Sequence, residues 1–216
     1  MADGSAKAQQ QAVGKLYAFI IGKMKTGADQ GAIIQELAAQ GMDRADAAHA
    51  VETIYPKVLK AAREQAYTPG ALTPALAGGL GAAAAGGLVW AWLVILTGWE
   101  IGYVAWGLGW LAGYAVVKLT GGKRGRVLQA VAAGSAVLGI AIGKYLIFWH
   151  TIKELASQQM GKDVAAGVSP LSGELIRLFA EHFTSMLSGF DAVWVLLAVG
   201  TAWAIPRGLG IKPPAR

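Results

Sequence analysis

The sequence predicts an all-α integral membrane protein, a helical bundle of about four transmembrane helices behind a small N-terminal three-helix domain. Three observations carry that expectation. The chain is 55% hydrophobic and only 15% charged, whereas a soluble domain usually carries about 25% charged residues. The apolar surplus is concentrated after residue 74. From Ala75 to Val117 the only acid or base besides tyrosine is Glu100, and such a stretch needs a membrane around it. The third observation is where the charge sits. Residues 1–74 hold eight Lys/Arg against seven Asp/Glu. The net charge of +6 comes mainly from Lys118, Lys123, Arg124 and Arg126, and from Arg207, Lys212 and Arg216 in the tail. Basic clusters beside apolar spans are topology signals, so the positive charge implies a bilayer and no nucleic-acid partner.

The first 67 residues read as three helices. The first runs from about residue 9 to 24, with Leu16, Phe19 and Ile20 on one stripe, and Gly27 ends it. The second covers about residues 29–40, with Ile33, Ile34 and Leu37 on one face and Gly41 as its stop. Asp43 is placed to N-cap the third, where Ala47, Ala50, Val51 and Ile54 continue the apolar face. Asp46 suits the positive end of that helix. Pro56 is expected to kink or restart it before it ends near Tyr67. The run from Ile33 to Asp43 resembles the helix–loop–helix core of small three-helix modules such as UBA-like domains. That resemblance implies a fold and no activity. Residues 1–67 are thus expected to form a cytoplasmic domain, able to dock a cytoplasmic protein partner, with a Pro/Gly linker at 68–74.

The membrane part is expected to span 75–206, crossing at about 75–97, 101–117, 127–149 and 192–205, where Pro206 stops the last helix. A span at ~1.5 Å per residue needs about 20 residues to cross a ~30 Å core. The second is therefore near the limit and the fourth is short. Lys144 is close enough to the end of span three to snorkel outward. Between spans three and four, Leu175, Phe179, Phe183, Met186, Leu187 and Phe190 form one stripe. Glu174, Arg177, Glu181, Ser185 and Ser188 form the opposite one. Segment 150–190 therefore reads as an amphipathic piece lying in the membrane interface or as a lid on the bundle. The basic loop at 118–126 and the basic tail at 207–216 place both termini in the cytoplasm of a bacterial cell, with an inner-membrane location. The stretch Gly98 to Gly122 resembles that of uncharacterised bacterial multi-span proteins, and no activity follows from the likeness.

Glycine and the aromatics are the most informative residues. Gly102, Gly109 and Gly113 fall on one side of span two, Gly79 and Gly87 on one side of span one, and Gly139 and Gly143 form a small-xxx-small pair in span three. Small faces let helices approach closely in lipid, either within this bundle or against another subunit. Trp106, Trp110 and Tyr114 lie deeper than an interfacial belt requires, and are read as packing residues or as contacts for a ligand or partner. Trp99 and Trp149 sit at span ends as interface anchors, joined by Lys118, Lys123, Arg124 and Arg126. The chain has no cysteine. None of His49, His150 and His182 lies in mid-span, and no span shows an acid–base pair for a proton relay. Asp191 reads as the N-cap of the last helix, and Glu100 as a solvated turn residue. No metal, cofactor or catalytic residue is required. The reading that follows is a non-catalytic accessory subunit that packs against other membrane subunits of a larger complex. A small transporter or channel comes second. A membrane enzyme or a pigment- or quinone-binding protein comes third.

Overall fold

A computed structural model of the chain describes residues 2–99 and 102–211. Glu100 in the first hairpin turn, and Lys212 and Arg216 in the tail, lie outside the described residues. Those residues are all-α, with nine α-helices, two short 3-10 turns and no strand. They form two compact units, residues 2–66 with 208–211, and residues 67–207.

The first unit contains α1 (Ala2–Lys25), α2 (Gln30–Ala39) and α3 (Arg44–Gln65). Its core joins Ile20 and Met24 of α1, Ile33 and Leu37 of α2, and Ala47, Val51, Ile54 and Val58 of α3. Both interhelical turns are built from side-chain caps. Asp29 accepts from the Ala32 amide at 2.7 Å, and Asp43 accepts from the Ala45 amide at 2.8 Å, which satisfies amides that the first helical turn leaves unpaired. Gly27 and Gly41 take positive φ in the turns, a conformation that costs glycine nothing. Lys23 forms an ion pair with Glu36 between α1 and α2. Pro56 neither breaks nor restarts α3, which runs through it. At the start of the basic tail, Ile211 packs on this core.

The second unit begins with a 3-10 turn, Pro69–Ala71, that leads straight into α4 (Leu72–Thr97). The expected linker at 68–74 is therefore mostly the first turn of a long helix, because Pro69 and Pro74 sit where proline needs no backbone hydrogen bond. There follow α5 (Gly102–Leu119), α6 (Arg126–Met160), α7 (Lys162–Ala166) and α8 (Gly173–His182). A 3-10 turn, Phe183–Met186, precedes α9 (Gly189–Ala204). Helices α4, α5, α6 and α9 make the bundle. α5 and α6 touch each other, and both α4 and α9 pack against that pair. Span three and the helix expected after it are one continuous 35-residue helix, α6.

By length and composition, two helical segments are long and apolar enough to cross a membrane, Pro69–Thr97 and Arg126–Met160. A third is added if the pair Gly173–Met186 and Gly189–Ala204, bent by 102°, counts as one span. The expected count of four is not reached on these criteria, for two reasons. α5 has 18 residues, but glycine, tryptophan, tyrosine and Lys118 dilute its hydropathy. α9 has 16 residues, about 24 Å of helix, and falls short of the hydrocarbon thickness.

The single amphipathic stripe expected over 171–190 is also corrected. The chain turns sharply before Gly189, so Phe190 belongs to α9 while α8 keeps Leu175 and Phe179. The α8 apolar edge packs on the extension of α6. Phe179 lies 5.2 Å from the Tyr145 ring centroid and 5.6 Å from that of Phe148. The Tyr145 hydroxyl donates to the Pro170 carbonyl, and Trp149 Nε1 donates to the Val168 carbonyl at 2.9 Å. Segment 161–182 is therefore fastened to α6 as a lid.

Candidate functional site

The bundle is held by contacts that only small residues permit. A methyl group at Gly87 would stand 2.7 Å from the Gly139 carbonyl, and one at Gly139 would stand 2.8 Å from Leu108 Cδ2. Gly143 approaches Gly87 and Trp90 of α4, and Gly79 faces Ser135 of α6. On the other side, Gly102 faces Trp194, Gly109 faces the Ala198 backbone, and Gly113 faces Ile205 and Ala202. All seven glycines singled out by the sequence thus meet other helices of this same chain. The glycine side of α5 is covered by α9, which leaves no room there for a second subunit.

This close packing brings together two charges that the sequence holds far apart. Lys144 of α6 and Asp191 of α9 form an ion pair at 2.7 Å, with side chains only 7% and 5% exposed. Lys144 was expected to snorkel outward and does not, because the first turn of α9 arrives beside it. Asp191 was expected to N-cap α9 and instead occupies its first turn. Its Oδ2 accepts from the Ser188 amide at 2.6 Å and the Ser188 hydroxyl at 3.1 Å, while Oδ1 faces Lys144. A carboxylate in the first turn also suits the positive end of the helix dipole. Neither charge would survive burial alone, since desolvation costs several kcal/mol per ion. On α4 the Trp90 indole packs over Gly143 at 1% exposure, and its Nε1 has no hydrogen-bond partner among the described residues. The sequence did carry a signal for this pair: each residue is a lone charge at an apolar helix, and the two are opposite in sign.

The far end of α9 is clamped by the basic loop. Arg124 donates to the Ile205 carbonyl at 2.6 Å, Gln129 donates to the Trp203 carbonyl at 2.7 Å, and the Gly125 amide donates to the Pro206 carbonyl at 2.9 Å. Arg124 was expected to anchor at the membrane interface, and it serves instead to satisfy the open C-terminal carbonyls of α9. Lys118 lies 5.6 Å over the Tyr114 ring, and Arg126 is exposed. Lys123 offers its carbonyl to the Thr120 hydroxyl. Trp149 is half-buried under the lid, whereas Trp99 is 77% exposed.

The aromatic side of α5 has no cover. Tyr103, Trp106, Trp110 and Tyr114 are all exposed, and the Trp110 and Tyr114 rings stack at 5.1 Å. The reading of Trp106 and Trp110 as packing residues inside the bundle is therefore overturned. Glycine takes the inner side of α5, which turns the aromatic side outward. At the end of the bundle near Asp191, the stripe opens into an apolar cleft of about 560 Å³ between α5 and α9. Gly102, Tyr103, Trp106, Trp194 and Leu197 line it, and Phe190 stacks against Trp194 at its mouth. The lining offers indole and phenol donors and no charge, so it suits an apolar side chain or tail. Among the described residues no group of three His, Cys, Asp or Glu is placed to hold a metal ion. No family model, no curated protein and no solved structure matches this chain.

Proposed function

We propose that the protein is a four-span protein of a bacterial inner membrane that serves as a non-catalytic subunit of a larger membrane complex. In this reading α4, α5, α6 and α9 cross the bilayer, and α5 presents its aromatic side to a neighbouring subunit. The observation that carries it is the exposed stripe from Tyr103 to Tyr114 with the cleft at its end. Aromatic side chains dominate contact energetics when they fill a partner's pockets. The short helices α5 and α9 fit the reading because packing within the bundle, or local bilayer thinning, accommodates a short span.

Replacing Trp106 and Trp110 together with alanine should leave the protein inserted and as abundant as the wild type. Purification from native membranes in mild detergent should then lose the co-migrating chains that the wild type retains. Unchanged co-purification would remove this surface from the proposal.

A small transporter is the second reading, favoured by the buried Lys144–Asp191 pair, since intramembrane charges mark transport paths. A path needs further polar groups in line with the pair. The other buried polar side chains are already engaged with backbone carbonyls: Thr120 with Val116, Gln129 with Trp203 and Ser135 with Val131. The subunit reading therefore stands first.

Topology is testable in the same cells. The chain has no native cysteine, so Glu52→Cys and Gln158→Cys, both at exposed positions, give single labels. With cytoplasmic termini and three crossings before residue 150, an impermeant thiol reagent should modify the residue-158 variant in intact cells and leave the residue-52 variant unmodified. Labelling at both sites, or the reverse pattern, would sink the four-span arrangement.

A further inference from the structure

Beyond the bundle, α6 and α7 line an open cavity of about 330 Å³ that the subunit reading does not use. Its α6 wall carries His150, Lys153, Glu154 and Ser157, one helix face at spacings of three and four. Lys162 of α7 closes the opposite side, and Trp149 forms one end. The two ammonium groups therefore reach one small space from two elements. Lys153 Nζ sits 5.3 Å over the Trp149 ring, which draws it toward the cavity. Among the described residues neither lysine has a carboxylate within ion-pair distance. The lining holds two lysines against one glutamate, with a histidine and a hydroxyl beside them. That set matches a ligand that is mainly a phosphate and also carries a primary amine. The lysines, His150 and Ser157 are donors of the kind that suits phosphate oxygens, and Glu154 is an acceptor of the kind that suits an ammonium.

The level of the cavity names the source of such a ligand, and this step rests on the four-span reading. Counting from Arg126 at ~1.5 Å per residue, Trp149 lies about 34 Å and Lys153 about 40 Å along α6. With ~30 Å of hydrocarbon beginning near Arg126, Trp149 falls in the outer headgroup layer, and Lys153, just above that layer, has its ammonium brought back over the Trp149 ring. We propose that this cavity binds the phosphoethanolamine headgroup of an outer-leaflet phospholipid.

The test uses the full chain in nanodiscs of mixed phosphatidylethanolamine, phosphatidylglycerol and phosphatidylcholine, with native mass spectrometry of the retained lipid. The wild type should retain phosphatidylethanolamine in preference to the other two. Lys153→Gln with Lys162→Gln should weaken that retention about tenfold, the scale of losing a charge-assisted hydrogen bond. Lys162→Gln alone changes one exposed side chain on a short helix, and should weaken retention in a protein with unchanged circular dichroism. Equal retention of phosphatidylglycerol would overturn the headgroup assignment. Wild-type retention by both variants would overturn the site. Displacement of the lipid by millimolar free phosphoethanolamine would assign the cavity to a water-soluble ligand of the same chemistry and overturn the lipid source. If residue 158 labels from outside and the lipid preference is absent, this proposal fails alone. If residue 158 is protected, the membrane reading has failed first.

Discussion

Lys144→Met should cost about 3–5 kcal/mol, the usual penalty for leaving a buried charge without its partner. The bundle buries Asp191 against Lys144, and little solvent reaches either side chain to soften the loss. Adding Asp191→Asn should recover most of the stability. The amide keeps an acceptor for the Ser188 N–H at the start of α9, and no ion remains to be desolvated. A well-packed neutral replacement of a buried ion pair is often neutral or stabilising. Thermal unfolding of the purified protein in one detergent checks both variants. The single change should lower the midpoint strongly, and the double variant should return close to wild type. Equal loss in the two would mean that the charges matter for something other than their mutual burial.

Gly109→Leu should prevent α9 from docking on α5. A side chain there would run into the Ala198 backbone, with Cα only 2.9 Å from the first added carbon. Backbone cannot rotate away as a side-chain tip can. Overpacking costs typically about 1–3 kcal/mol, and a backbone obstacle puts this site at or above the upper end. Gly113→Leu should behave alike, since Ile205 Cβ stands 2.9 Å from the added carbon. Gly107 supplies the control. It is on the same helix with nothing within 4 Å of an added carbon, so Gly107→Leu should leave expression and protease resistance unchanged. The comparison is made on the three variants by membrane abundance and by limited proteolysis of the 161–190 segment. If Gly109→Leu and Gly107→Leu are equally stable, the α5–α9 contact is not as close as described.

Much of the fold could be read from residue order alone, and the parts that could not share a cause. Local chemistry marks helix ends, so Asp29, Gly41 and Asp43 stand where the sequence places them. Hydropathy marks α4 and α6, because α4 is long and free of charge and α6 contains an apolar stretch of spanning length. Contacts between distant segments leave no local trace. Lys144 looks like a snorkelling lysine until α9 is placed beside it. Arg124 looks like a topology signal until the Ile205 carbonyl needs a donor. The glycine faces were legible as surfaces of close approach, but their partner was not, because glycine says how near a neighbour comes and not which one. The aromatic stripe shows the converse. Its period was plain, and its outward direction followed only once glycine was seen to take the inner side.

The clamps at the two ends of α9 bear on how the chain is made. α9 is a 16-residue helix, reached from α6 across a long and partly polar segment. A helix that short gains little from lipid by itself, and the fit of its ends is what retains it. Asp191 holds one end on α6, and Gln129 and Arg124 hold the other. All three contacts exist only after α6 is in place. On the four-span reading proposed above, insertion therefore has a built-in order, with the segment from α4 to α6 entering as the template and α9 captured on it last. On that reading a ribosome that stalls before residue 189 leaves behind a template in which Lys144 lacks the Asp191 carboxylate.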